Sequence, residues 1–322
     1  MADTATASTT PNGNGNGIER GESLWNQSFR RFKNNKMAVF SLVFLIVLVL
    51  MAIFAPLVTT HTYFDTDLVA RDQSPNERFL LGSDYLGRDV YTRVIYGARV
   101  SLAVAFVGSF ISFLVGLVYG VTSGYLGGKA DSWMMRVVDV LYGLPTLILV
   151  ILIMVYFRAG QPEKFTGFKL FFYNLDSSMG GMLFIFLGIG ITSWLQMARI
   201  ARGETLAIKN REFVENATAQ GISHSRIIFK HLLPNILGPC IVLETASIPS
   251  YILTEAFLSF IGLGVNPPMP SWGSMIQEGY QAIRSYPHEI MAPVVLLTLT
   301  VLAFNFFGDG LRDALDPKVV DK

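Results

Sequence analysis

The chain has 322 residues, 51% of them hydrophobic and only 15% charged, with a mean hydropathy of +0.44; a soluble domain carries about 25% charged residues, so much of this chain avoids water. Its net charge of +1 provides no basic field for nucleic acid, and a single cysteine, Cys240, excludes an intrachain disulfide framework. Four scattered histidines argue against a His/Cys zinc site, so no cofactor or metal is expected on this chain.

In chain order, residues 1–23 are small and polar and include the run Pro11-Asn12-Gly13-Asn14-Gly15-Asn16-Gly17. Such a segment buries too little apolar surface to offset ordering, and a disordered cytoplasmic tail is expected. Over 24–36, Trp25, Phe29 and Phe32 fall on one helical stripe, with Arg30, Arg31, Lys33 and Lys36 around them. The pattern fits an amphipathic interfacial helix, and it also fits a charged flank of the first span. Residues 37–57 carry no charge and are long enough, at ~1.5 Å per residue, to cover the ~30 Å hydrocarbon core. Further spans are expected at 100–121, 137–157, 180–198, 236–263 and 290–308. Glycines in the second, and Pro239 and Pro249 in the fifth, point to helices packed inside a bundle, where neighbours cover exposed backbone.

The expected fold is therefore all-α: a membrane domain over 37–308 with about six transmembrane helices, followed by a cytoplasmic tail at 309–322. With the N-terminus inside, the inner segments hold the majority of the 25 Lys and Arg, which places both termini in the cytoplasm. The long inner loop, 199–235, then lies between the fourth and fifth spans.

That loop carries the most information. A short helix is expected around Glu212–Gln220, with Ala217 and Ala219 small enough to let another surface approach, and Gly221 permits a sharp turn after it. A second helical stretch follows, with apolar Ile222, Ile227, Ile228 and Leu232, and Pro234 is expected to stop it. Two readings fit: a helix–turn–helix made for a partner surface, or an interfacial hairpin that merely links two spans.

Other features are weighed the same way. Gly82-x4-Gly87-Arg88-Asp89 nearly spells a P-loop, but Arg88 and Asp89 stand where lysine and Ser/Thr are needed, so it reads as a turn. Asp139, near Arg136, fits an ion pair or interfacial solvation. Glu244 and Glu255 lie deep in the fifth span, 11 positions apart, within roughly 20° of each other on an ideal helix. Lipid exposure of a carboxylate is costly, so both are expected to face inward. They either line a translocation path or pair with basic or hydroxyl groups on a neighbouring helix.

The segment from Glu215 to Pro234 resembles the EAA loop of ABC importer permeases, whose pattern is E-A-A-x3-G-x9-I-x-L-P. Glu215, Ala217, Gly221, Leu233 and Pro234 match it, whereas Asn216 and His231 depart from it. His231 in place of isoleucine resembles the peptide/nickel branch. Leu80–Val90, Tyr96–Leu102, Glu255–Gly264 and Pro270–Gly273 are similar to C-type dipeptide/oligopeptide permeases, and the similarity runs from roughly Lys33 to Pro317.

The resemblance implies half of a translocation pathway for di- or oligopeptides in the prokaryotic inner membrane. A homologous second permease, two ATP-binding subunits holding ATP and Mg, and an extracytoplasmic binding protein would complete the importer. The loop residues Glu215, Asn216, Ala217, Gly221, His231, Leu233 and Pro234 would couple to the ATPases, and this chain would perform no catalysis. Nickel, glutathione or another small solute are alternative cargoes. An ion-gradient-driven transporter working through Glu244 and Glu255 is the alternative from another class, although no internal repeat supports it.

Overall fold

The computed structural model describes residues 24–315, which form a helical bundle. The expected disordered tail, 1–23, lies outside the described residues, as does 316–322 of the C-terminal tail. Helix α1 (Leu24–Asn34) leads into α2 (Lys36–Ile53), whose first turn is capped by the Asn35 side chain accepting the Ala38 N–H at 3.2 Å. Phe32 packs edge-on against Phe307 near the far end of the chain.

After a one-turn helix, Ala55–Val58, and an irregular segment, α3 runs as one continuous helix over Val90–Leu126. The broken pair α4 (Gly128–Tyr142) and α5 (Thr146–Arg158) follows, then α6 (Gly167–Ser178) and α7 (Leu183–Ile208). Short α8 (Glu212–Ala219) precedes α9 (His224–Phe260), then α10 (Trp272–Tyr280) and α11 (Pro287–Leu315). Among the described residues five helices are long and apolar enough to cross a membrane, and the broken pair makes six if it counts as one crossing.

The spans differ from expectation where polar or special residues intervene. The third, expected to be continuous over 137–157, bends by 74° between α4 and α5. Gly143-Leu144-Pro145 lies at the break: proline has no N–H to donate and disfavours helical backbone in the residue before it. Helix α3 starts ahead of the expected 100–121 because Asp89 caps it, accepting the Thr92 N–H at 2.9 Å and the Thr92 hydroxyl at 2.6 Å. The last helix likewise continues through 309–315, part of the segment read as a tail. At 37 residues each, α3 and α9 are about 55 Å long, well beyond the hydrocarbon core, so each supplies structure outside the lipid as well.

Pro234 does not stop its helix. A π-helical turn, Ile228–Leu232, precedes it, and the Leu233 N–H donates to the Ile228 carbonyl one register further back than in an α-helix. With the register widened just before the proline, α9 continues past it to Phe260. A second π turn, Ser112–Gly116, lies within α3.

Helices α3 and α7 pack closely along Gly116, Gly120 and Gly124. A Cβ on Gly116 would sit 2.6 Å from the Trp194 carbonyl oxygen, and one on Gly124 would sit 2.9 Å from that of Arg202. Trp272 is fully buried and donates its indole N–H to the Val94 carbonyl at 3.1 Å, pinning α10 to α3. The Arg99 guanidinium donates to the carbonyls of Ala52 and Ile53, satisfying groups that the end of α2 leaves open.

Candidate functional site

At one end of the bundle, α8 projects from the linker between α7 and α9. Glu212 and Glu215 lie in its first turn, where negative charge suits the helix dipole. Its far end closes as a Schellman motif. Gly221, at φ +72°, donates to the Thr218 carbonyl at 3.0 Å, and the Ile222 N–H reaches the Ala217 carbonyl at 3.2 Å. Positive φ is the conformation that favours glycine, and Gly221 adopts it here.

The two faces of α8 differ. Val214 and Ala217 are buried against Ile227, Leu232 and Ile236 of α9, together with Leu117 and Val121 of α3 and Met197 and Ala201 of α7. Ala217 therefore serves this chain's own core, its small side chain allowing α8 to sit close to the bundle. Glu215, Asn216 and Gly221 lie on the exposed side. His231 and Leu233 are half-buried, with Leu233 packed on the same apolar cluster, and Pro234 is exposed. The structure thus brings Glu215, Asn216 and Gly221 into one free corner and leaves His231, Leu233 and Pro234 along the start of α9.

Several residues that seat this corner were not foreseen. Lys209 donates its ammonium to the carbonyls of Gly124 at 3.2 Å and Tyr125 at 3.0 Å, covering the open end of α3. The Tyr125 hydroxyl lies 2.7 Å from His224 Nδ1, which ties α3 to the start of α9. Arg202 makes a bidentate pair with Asp131, at 2.5 and 2.6 Å, and Ser123 donates to the same carboxylate at 2.6 Å. Asp139 pairs with Arg199 at 2.7 Å, while Arg136 lies over the Trp133 ring. A basic residue just after a span is a readable cue for such a cap, but its partner helix is not. The corner consequently rests on α3, α7 and α9 at once.

Glu244 and Glu255 do face inward. Glu244 accepts from the Ser112 hydroxyl at 2.7 Å and from the Tyr251 hydroxyl at 3.1 Å. Glu255, fully buried, accepts from Ser101 at 2.8 Å and from Ser259 at 2.7 Å. Ser101 and Ser112 are 11 positions apart on α3, as the two glutamates are on α9, so matching faces of two antiparallel helices meet twice. In this structure each carboxylate thus pairs with a serine hydroxyl of the neighbouring helix α3.

At the opposite end, the stretch from Gly82 to Asp89 forms a turn: Gly82 and Gly87 have φ +83° and +73°, and the Gly87 N–H donates to the Asp84 carbonyl at 2.8 Å. Its charges are turned inward. Arg88 and Arg93 share the carboxylates of Asp84 and Glu278 at 2.6–2.8 Å. Arg158 joins Asp176, at 2.9 Å, to the carbonyls of Gly181 and Gly264.

Comparison with known proteins agrees with this architecture. Residues 116–321 match the family described as binding-protein-dependent transport system inner membrane component, and residues 23–75 match the N-terminal TM domain of oligopeptide transport permease C. The oligopeptide transport system permease protein OppC of Bacillus subtilis (strain 168) is 39% identical over 92% of this chain and 90% of that protein. OppC of Escherichia coli (strain K12) is 41% identical over 92% of each. Among solved structures, the MetNI methionine ABC transporter in inward-facing conformations aligns with a TM-score of 0.54 at 20% identity, covering 69% of this chain and 96% of that chain, which shows a shared fold. With both parts of its length matched and relatives near 40% identity across nearly all of it, the chain belongs to the binding-protein-dependent transport system inner membrane component family, in its oligopeptide permease C branch.

Proposed function

We propose that this chain forms half of the translocation pathway of an ATP-driven peptide importer, and that α8 and Gly221 dock on its ATP-hydrolysing partners. The observation that carries the docking role is the exposed corner of Glu215, Asn216 and Gly221, seated on three long helices through Val214 and Ala217. A partner that holds ATP and Mg and changes shape on hydrolysis would push on this corner. The push would pass into α3, α7 and α9, and a bistable bundle would be biased between its two accesses. A second permease and an extracytoplasmic binding protein complete the machine. Peptide cargo is supported by relatives named oligopeptide and dipeptide permeases. A relative in Pectobacterium atrosepticum at 34% identity is named a glutathione transport permease, which keeps glutathione as a second cargo.

Uptake of a labelled tripeptide, compared with that of labelled glutathione, tests the reading in a strain from which this chain has been removed. Loss of tripeptide uptake, restored by the intact chain, is the expected result. Unchanged tripeptide uptake with lost glutathione uptake would replace the peptide reading with the second one.

The charge distribution supports an orientation with the α8 corner and both termini in the cytoplasm and the Asp84–Glu278 end outside. In a Cys240→Ala background, cysteines at exposed Gln220 and Glu163 should react with an impermeant reagent from opposite sides of sealed vesicles. Labelling of both from one side would break the six-crossing topology.

A further inference from the structure

A cavity of about 350 Å³ opens at the outer end of the bundle, between α10, the first turn of α11 and the loop before α3. We propose that it is a binding subsite for one ammonium or guanidinium group, held by Glu289 with Asp72, beside the already paired Glu278. The cavity is lined by these three carboxylates together with Gln277, Tyr85 and Tyr286. Glu289 is only 3% exposed, and its Oε1 has no hydrogen-bond partner. A buried carboxylate oxygen without a donor is costly, so a group that brings N–H donors and positive charge into the cavity is favoured there.

The surrounding charges do not meet this need. Arg88 donates to Asp84 at 2.7 Å and to Glu278 at 2.8 Å, and Arg93 reaches the same two carboxylates at 2.6 and 2.7 Å. Two guanidinium groups are thus matched to two carboxylates. Glu289 comes in addition: its carboxyl is hydrogen-bonded to that of Asp72, with Asp84 and Glu278 close by, and its Oε1 is left without a donor. Asp72 is held in the left-handed region, at φ +52°, where its N–H donates to the Asp84 carbonyl at 3.1 Å. That turn places a further negative charge on the cavity wall.

An organic cation suits this site better than a bare metal ion. Among the described residues no group of three or more His, Cys, Asp or Glu is arranged to hold a metal. Ammonium and guanidinium groups carry their own directional donors and are satisfied by two or three carboxylate and amide oxygens. The same chemistry could arrive on a free amine-bearing solute or on a Lys or Arg of a protein docking from outside. The cavity's preference does not depend on which solute crosses the bilayer.

The test uses the full chain with Cys240→Ala and Ala282→Cys, which places one thiol in the cavity wall. Its modification by an uncharged methanethiosulfonate is timed with arginine amide and with citrulline amide, a near-isostere without the charge. Arginine amide should slow the reaction saturably, by roughly fivefold or more, with citrulline amide inert. Glu289→Gln should remove the protection, and Asp72→Asn, on the less buried wall, should weaken it if the first variant folds poorly. Absence of protection, equal protection by both amides, or protection unchanged in both variants would each overturn the proposal; the first is what two carboxyls sharing a proton would give. Adding the extracytoplasmic binding protein to the assembled transporter separates the sources. Protection without arginine amide that Glu289→Gln removes assigns the cation to that protein, and an unprotected thiol assigns it to a free solute.

Discussion

Replacing Gly221 with proline should reduce solute uptake by more than about tenfold while the chain still inserts and accumulates in the membrane. Proline fixes φ near −65°, whereas Gly221 stands at +72°, and it has no N–H to donate to Thr218. The Schellman closure would open and α8 would lose its angle to α9. Space is not the issue, since a Cβ at Gly221 meets nothing within 4 Å, so the six crossings should be unaffected. Glu215→Lys provides the complementary case. It reverses one exposed charge without touching Val214 or Ala217, so a loss of uptake there would arise at the docking face alone. Copurification of the ATPase subunits should fall in both variants. If uptake persists in both, α8 is only a link between spans, and the coupling role fails.

Gly120→Leu should have the opposite profile, lowering membrane abundance and thermal stability together. A Cβ there would lie 2.8 Å from that of Ala201 and 3.0 Å from the carbonyl carbon of Ala198, so α3 and α7 must separate to admit any side chain. Overpacking in a tight interface costs about 1–3 kcal/mol even where neighbours can adjust, and here much of the opposing wall is backbone. Gly203→Leu is the control. It lies on α7 with nothing within 4 Å of a Cβ, so the same substitution should leave abundance and melting temperature near those of the parent. Equal loss in the two variants would show that the defect comes from leucine in these helices generally and not from the seam.

The centres of the spans were legible because a long uncharged run has few alternatives in a chain this apolar. Their ends were not. Residues 90–99 of α3 carry Arg93 and Arg99, which hydropathy assigns to a loop, although partners on α2 and α10 make them compatible with a buried helix. The break in the third span was available in Gly143-Leu144-Pro145 but was outweighed by the apolar residues on either side. Pro234 was misread because the rule that proline stops a helix assumes α-helical register, and the π turn before it changes that register. At the α8 corner, the turn at Gly221 could be anticipated from residue type. The burial of Ala217 could not, because it depends on where α3 and α7 lie. Nor does one sequence reveal that Ser101 and Ser112 face Glu255 and Glu244.

The π turn at Ser112–Gly116 gives α3 a place where its length can change by one residue. On its N-terminal side the helix presents Ser101 and Ser112 to the carboxylates of α9; on its C-terminal side it presents Gly116, Gly120 and Gly124 to α7. The wide turn keeps these two faces in step, since its five residues cover about the rotation and rise of one fewer in an α-helix. Removing one residue from it would restore ordinary α register and leave everything beyond close to its present facing. Removing one elsewhere in α3 would turn the remainder by about 100° and swing bulkier positions onto the close approach at Gly116, Gly120 and Gly124. Natural gains or losses of a single residue within α3 should therefore fall at 112–116.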